Sequence, residues 1–496
     1  MSLRHVKKAV GRAVGAVLLT GALGLGLATQ AQAVDLKIAM SSPPTSMDPH
    51  FYNLFSNINV SEHVFDTLIK LDPDSKVVPG LAESWKLVNN LTWEFHLRKG
   101  VKWHDGTELT TEDIAWSLDR PATIVNSPGK FDVYTKAIIN KKIIDKYTIQ
   151  VTTNQPYPLM LNDLTSVFMV QKKATQGLSS DDFAQGKGMV GTGPFKFVSY
   201  ARDDRVELVR NPDYWGTKPA WDKVTLRFIP NPATRLAALL SGDVQAIENV
   251  PTPDLPKVRN DPKLSFFSKI SHRVIYLYFD VKRDKSPFVT TKDGQPMDKN
   301  PLKDARVRIA ISTAINRQSI KDRLMEGLSE PTNNLVPPTL FGHNPALKTL
   351  KYDPEAAKKM LADAGYPNGF GLTLHTPNNR YVNDEKICQA VVAMWARIGI
   401  KASLVAENMA TFSQKFQNFD SSIYMLGWGV ATYDAQFSIQ SLIRTRSTGA
   451  DGSFNFSRIS DPQLDRLTDA MKTESDPAKR NAEIREALIR IRDEVL

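Results

Sequence analysis

Segments of strand type and helix type alternate along this chain from Asp35 to its last residue. That alternation excludes an all-helical bundle and an all-β sandwich and sets the class as mixed α/β. "DLKIAM" opens as a strand and runs into a proline-rich turn. "KYTIQVTTN", "RVELVRN", "KVTLRFIP", "RVIYLYFDV", "FGLTLHTP" and "KASLVAE" are further strands, rich in β-branched and aromatic residues. "LTWEFHLRKGVKWHDG" alternates and then turns at Asp-Gly, as a hairpin does. Between them lie helices with legible ends. "TTEDIAWSLDR" starts on a capping pair, Thr110 and Asp113. "YDPEAAKKMLADAGYPNGF" has Asp353 as N-cap, Pro354 at the first helical position and Gly365 just past the end. "DARVRIAISTAI" puts Val307, Ile311 and Ile315 on one face. "SDPAKRNAEIREALIRIRDEVL" stripes Ile484, Leu488, Ile491 and Val495. At 496 residues the chain is too long for one small core and implies two or three lobes. No internal repeat or low-complexity segment interrupts the pattern.

The address is written at the start. "MSLRHVKKAVGR" is basic, "AVGAVLLTGALGLGLA" is apolar, and Ala31–Gln32–Ala33 supplies small residues at a cleavage site. This reads as a cleavable signal peptide, with the mature protein beginning at Val34 and residing in the periplasm. The apolar run is too short and glycine-rich for a good spanning helix. Formal charge is +10, of which four charges belong to Arg4, Lys7, Lys8 and Arg12 in that leader, so six remain. The remaining Lys and Arg are mixed with Asp and Glu, which describes a solvated surface and no nucleic-acid partner. Cys388 is the single cysteine, so no internal disulfide forms, and its place beside the stripe Ile387, Val391, Trp395 and Ile398 makes it a core residue.

Reactive constellations are missing. His104 beside Asp105 invites a His–Asp hydrolase, but Asp-Gly is first a turn. No metal-ligand spacing occurs, and no cofactor is expected. "GKGMVGTGPF" is glycine-rich yet leads into a strand and lacks the Lys-Ser/Thr of a phosphate loop. A large exported chain without a catalytic set reads as a binder.

Several phrases carry a resemblance. "SMDPHFYN", "VVPGLAESWKL", "TWEFHLRKGVKWHDGTELTTEDIAWSLDR", "GTGPFKFVSY", "NPDYWGTKPAWDKVTLRFIPNPATRLAALLSGDVQAI" and "GSFNFSRISDPQLDRL" stand in order over nearly the whole mature chain. They resemble the extracellular solute-binding proteins of the dipeptide, oligopeptide and nickel group, family 5, which serve ABC importers. The resemblance implies a bilobal periplasmic-binding-protein fold with an extra subdomain in the first lobe. That lobe would be discontinuous, over 34–65 and 190–272, around an inserted subdomain at 66–189. The second lobe would span 273–480. Residues 481–496 would be a helix cut short of the family's usual return to the first lobe. Expected partners are a small-molecule or peptide ligand and an inner-membrane ABC permease, with the receptor a monomer. A metal-chelate or haem carrier of the same family stays open, as does the exported hydrolase from another class.

The resemblance also implies site residues. Arg380, in "NNRYVNDEKI", matches the arginine that takes a peptide carboxylate. In "GWGVATYDAQFSIQSLI" peptide-binding relatives carry an aspartate three residues after Gly-Trp, where it takes the ligand's ammonium; here that place holds Ala431. Asp434 follows three residues later, as an anchor shifted along the segment. Trp428 and Tyr433 are flat surfaces for packing a ligand, and Asn53 and Phe55 are the ligand-facing residues of the first lobe.

Overall fold

The computed structural model describes residues 34–127, 131–447 and 451–494. The leader and its cleavage site, like Val495, lie outside the described residues. The chain lays down β1 (Asp35–Met40), then pairs β2 (Ile69–Leu71) with β3 (Val77–Pro79) as a ribbon. β4 (Ala82–Asn89), β5 (Thr92–Leu97), β6 (Ile138–Asp145) and β7 (Thr148–Thr153) form an antiparallel sheet in the order β4-β5-β7-β6. β8 (Phe195–Ala201), β9 (Arg205–Arg210), β10 (Lys223–Phe228) and β11 (Ala246–Ile247) then return to β1, giving the order β11-β1-β10-β9-β8. A third sheet follows from β12 (Arg273–Phe279), β13 (Val289–Thr290), β14 (Gly371–Pro377), β15 (Lys401–Glu407) and β16 (Ile423–Gly429), with β12-β16-β14-β13 in order and β15 beside β14. The result is a bilobal α/β protein in which the β4–β7 sheet is inserted between β1 and the strands that complete its sheet.

The phrases that carry the resemblance are structural. Asp48 of "SMDPH" is buried and receives both terminal nitrogens of Arg120, from "SLDR", at 2.7 Å each. Ser180 adds a third hydrogen bond at 2.7 Å. A buried bidentate pair of this kind fixes the inserted sheet's helix against the β1 segment. Gly191 and Gly193 of "GTGPF" lie against the Val64 carbonyl, where a Cβ would stand 1.7 Å and 2.7 Å from its oxygen. The glycines of that phrase therefore serve backbone packing.

In the third sheet the side chains alternate cleanly between two cores. Tyr278, Tyr424 and Leu426 enter one with Ile439, Leu442 and Leu464. Phe279, Ile423 and Met425 enter the other with Leu374, Val391 and Trp395. Cys388 sits in the second core with its thiol pushed up to about 12 by burial. The terminal segment calls for a correction. A single helix, Pro477–Glu494, runs across the expected break at 480, and Ile484, Ala487, Leu488 and Ile491 are buried in the first of these cores. Its apolar stripe has the 3.6-residue period that packing on the helix Pro462–Thr473 demands.

Candidate ligand-binding cleft

β1 runs parallel to β10 and β11, and β14 runs parallel to β15 and β16. Ligands in open α/β sheets sit beyond the carboxyl ends of such strands. Here the segments that follow β11 and β14 both line one cavity of about 1240 Å³. Glu248, Asn249 and Thr252, just after β11, line one wall. Arg273, Arg380 and Tyr381 line the other. Asn383 reaches across and donates to Thr252 Oγ1 at 3.1 Å.

The far wall is built on the Gly-Trp-Gly end of β16. Gly427 N–H donates to Tyr381 Oη at 2.9 Å, and a Cβ at Gly427 would stand 2.8 Å from the tyrosine ring. Gly429 pairs with Arg273 in register, and a Cβ there would stand 3.5 Å from an Arg273 terminal nitrogen. The two glycines thus leave room for a ring and a guanidinium on one face of the strand. Asp384 holds the adjoining loop by accepting the N–H groups of Arg380 and Tyr381 at 2.9 and 3.0 Å. The two guanidinium carbons lie 5.7 Å (Arg273) and 5.8 Å (Arg380) from the Tyr381 ring centroid. Neither guanidinium has a hydrogen bond or ion pair among the described residues. Burial, and then the charge of Arg380, pull the Arg273 pKa below the usual arginine range.

Trp428 faces the opposite way. Its Nε1 donates to Ser438 Oγ at 3.1 Å, and its ring packs 5.3 Å from Phe437 and 5.1 Å from Phe454. Tyr433, in the left-handed region at φ 56°, meets His272 edge-on at 4.6 Å. Asp434 caps the helix Ala435–Leu442 through Gln436 N–H and accepts Arg480 Nη1 and Nη2 at 2.6 and 2.9 Å. At 2 % exposure its carboxylate is fully engaged, so the expectation of a shifted ammonium anchor gives way to a buried ion pair. Ala431 lies in the same turn and brings no charge; its neighbour Thr432 accepts Asn162 Nδ2 at 2.8 Å, a contact with the inserted subdomain. Asn53 donates to Tyr134 Oη at 2.6 Å, and Phe55 is 64 % exposed. Arg380 is therefore separated by the sheet from Trp428 and Asp434, and its neighbours are two residues sequence reasoning missed, Arg273 and Tyr381. The signal for them was faint: an arginine opening "RVIYLYFDV" and the tyrosine next to Arg380.

His104 is structural. It accepts Gly191 N–H at Nδ1 (3.2 Å), and its Nε2 pairs with the Gly193 carbonyl at 3.0 Å. Burial pulls its pKa down to about 4. Asp105 bonds to Thr107 and Gln171 instead, so the two do not form a catalytic pair.

Among the described residues no helix is long and apolar enough to cross a membrane. The chain is 27% identical over 447 residues to the dipeptide-binding protein of Escherichia coli (strain K12), covering 82% of this chain and 80% of that protein. It is 28% identical over 482 residues to the glutathione-binding protein GsiB of the same organism, covering 94% and 89%. Its fold matches that of HbpA2 from Haemophilus parasuis with a TM-score of 0.77 at 23% identity, over 93% of this chain and 92% of that one. The family model described as bacterial extracellular solute-binding proteins, family 5 Middle, matches residues 76–449, well over half the chain, and the chain accordingly belongs to that family of solute-binding proteins.

Proposed function

We propose that this solute-binding protein is the periplasmic receptor of an ABC importer and that it closes its two lobes on a peptide-like or acidic small molecule whose carboxylate meets Arg380. The observation that carries the reading is the unpaired Arg380 guanidinium on a cavity lined by the segments that follow the parallel strands β11 and β14. A planar guanidinium binds a carboxylate through two parallel hydrogen bonds. The relatives named for dipeptides and glutathione fit a ligand with such a group. In this reading residues 1–33 direct export, the mature monomer starts at Val34, and closure turns on the segment near 264–272 that joins β11 to β12. With Ala431 uncharged and Asp434 held by Arg480, a ligand ammonium gains no carboxylate from that turn.

Calorimetry on Arg380→Ala with an acidic peptide tests it. Loss of one partner from a buried charged pair costs about 2–5 kcal/mol, roughly thirtyfold to several thousandfold in Kd. Unchanged affinity, with the fold intact by circular dichroism, would remove Arg380 from the site.

A further inference from the structure

Arg273 and Arg380 approach one ring from within 6 Å and have no acid beside them. Their two distances cap the separation of the guanidinium carbons at about 11.5 Å. The acids that line the same cavity, Glu248 and Glu330, are engaged elsewhere. Glu248 accepts Ser41 at both its backbone nitrogen and its hydroxyl. Glu330 pairs with Lys321 at 2.8 Å. Tyr381, fixed by the Gly427 N–H, cannot swing away without losing that bond, and Gly429 leaves Arg273 its place. Two like charges set on one fixed ring, with Arg273 drawn partly from water, repel when no ligand lies between them. A ligand with matching negative charges relieves that repulsion and finds its partners already placed.

We propose that the cleft selects ligands carrying two carboxylates, one taken by Arg380 and the other by Arg273, with Tyr381 as the spacer between them. This rests on the role given to Arg380 above and adds Arg273 as the residue that sets specificity. A mono-acid leaves Arg273 unpaired, so it binds less tightly than a di-acid of the same shape.

The test uses the full mature protein and matched pairs of di- and tripeptides ending in Glu or Gln, or in Asp or Asn, each with free and N-acetylated amino termini. Calorimetry should show the two-carboxylate member binding about ten- to hundredfold more tightly than its amide twin, the range for a hydrogen-bonded charge. In Arg273→Gln the ratio between twins should fall to within about threefold of unity. Lys263→Gln, at another cation lining the same cavity, should keep the ratio. Arg380→Gln should weaken both twins. Equal binding of twins by wild type overturns the proposal. So does an Arg273→Gln loss that leaves the ratio standing, since Arg273 would then only support Tyr381. A ratio lost equally in Lys263→Gln points to long-range attraction and overturns it as well. Inorganic phosphate displacing the di-acid at comparable concentration replaces two carboxylates by one phosphate and overturns it too. If Arg380→Gln leaves both twins unchanged, or no pair binds wild type, the Arg380 reading itself fails and takes this one with it.

Discussion

The two faces of the β12–β16 pair treat charge in opposite ways. On one face Asp434 and Arg480 sit buried and bidentate, beside Trp428 and its aromatic neighbours. On the other, Arg273 and Arg380 flank Tyr381 with no counter-charge. Strand parity sets the sides of Trp428 and Arg273, while Asp434, Arg480 and Arg380 come from the turn, the terminal helix and the loop that pack against the strands. A buried charge with a full partner set holds the fold, because removing either member strands the other in a dry site. Charges left without partners beside a cavity cost stability and are free to meet a ligand. The comparison therefore separates residues that matter for folding from residues that matter for binding.

The most severe way to break it is Asp434→Asn. Arg480 would lose its partner at low exposure, and stability should fall by about 3–5 kcal/mol, read as a lower denaturation midpoint in urea. Wild-type stability with altered ligand affinity would make the closed face a ligand face after all.

A second buried acid near Asp434, on the helix Met160–Leu164 of the inserted subdomain, is kept neutral. Asp163, buried near Asp434, has its pKa raised to about 7, first by burial, while Tyr157 Oη donates to it. An acid whose folded pKa is raised stays protonated in the native state while the unfolded chain ionises. Stability from this group therefore falls as pH rises from about 4 to about 7. At about 1.36 kcal/mol per pKa unit the loss reaches up to about 4 kcal/mol. Asp163→Asn should match wild type near pH 4 and exceed it at pH 8. The difference between the two curves carries the sign. His50, His104 and His375, each held down to about 4 chiefly by burial, make the wild-type curve fall in the opposite direction on acidification. Parallel curves from pH 4 to 8 would show Asp163 ionised throughout.

Gly427→Ala sharpens the open face. Its Cβ would stand 2.6 Å from Ile275 Cδ1 and 2.8 Å from Tyr381, so something must shift. Overpacking should cost about 1–3 kcal/mol, and displacement of Tyr381 should weaken acidic ligands as well. Gly429→Ala, with 3.5 Å to Arg273, should cost less in a thermal melt. Equal costs would mean that Tyr381 is not held by close approach.

The smallest effect is the reverse of a usual mutation. Arg273→Gln removes the repulsion with Arg380 and should raise the melting temperature of the empty protein, by no more than a few tenths of a kcal/mol because solvent screens this site. A clear loss of stability would mean that Arg273 has a structural partner and belongs with Arg480.

Local periodicity and capping chemistry were enough to read most elements from the sequence. The capping box of Thr110 and Asp113 and the N-cap of Asp353 are present as their spacing predicts, because those hydrogen bonds close within a few residues. The α/β class, Cys388 as a core residue and the glycines of "GTGPF" as something other than a phosphate loop followed from the same local logic. Gly-Trp-Gly closes strand β16 in register with β12. What fills the space it leaves was decided by partners about 46 and 156 positions away, Tyr381 and Arg273, which only the third sheet brings together. The fate of Asp434 was likewise set by Arg480, on the terminal helix, and not by its distance from Trp428 along the chain. Side-chain parity tells which residues share a face of one strand. Whether a charge on that face is paired or left for a ligand depends on which strand, loop or helix packs against it, and that is settled only when the lobes are assembled.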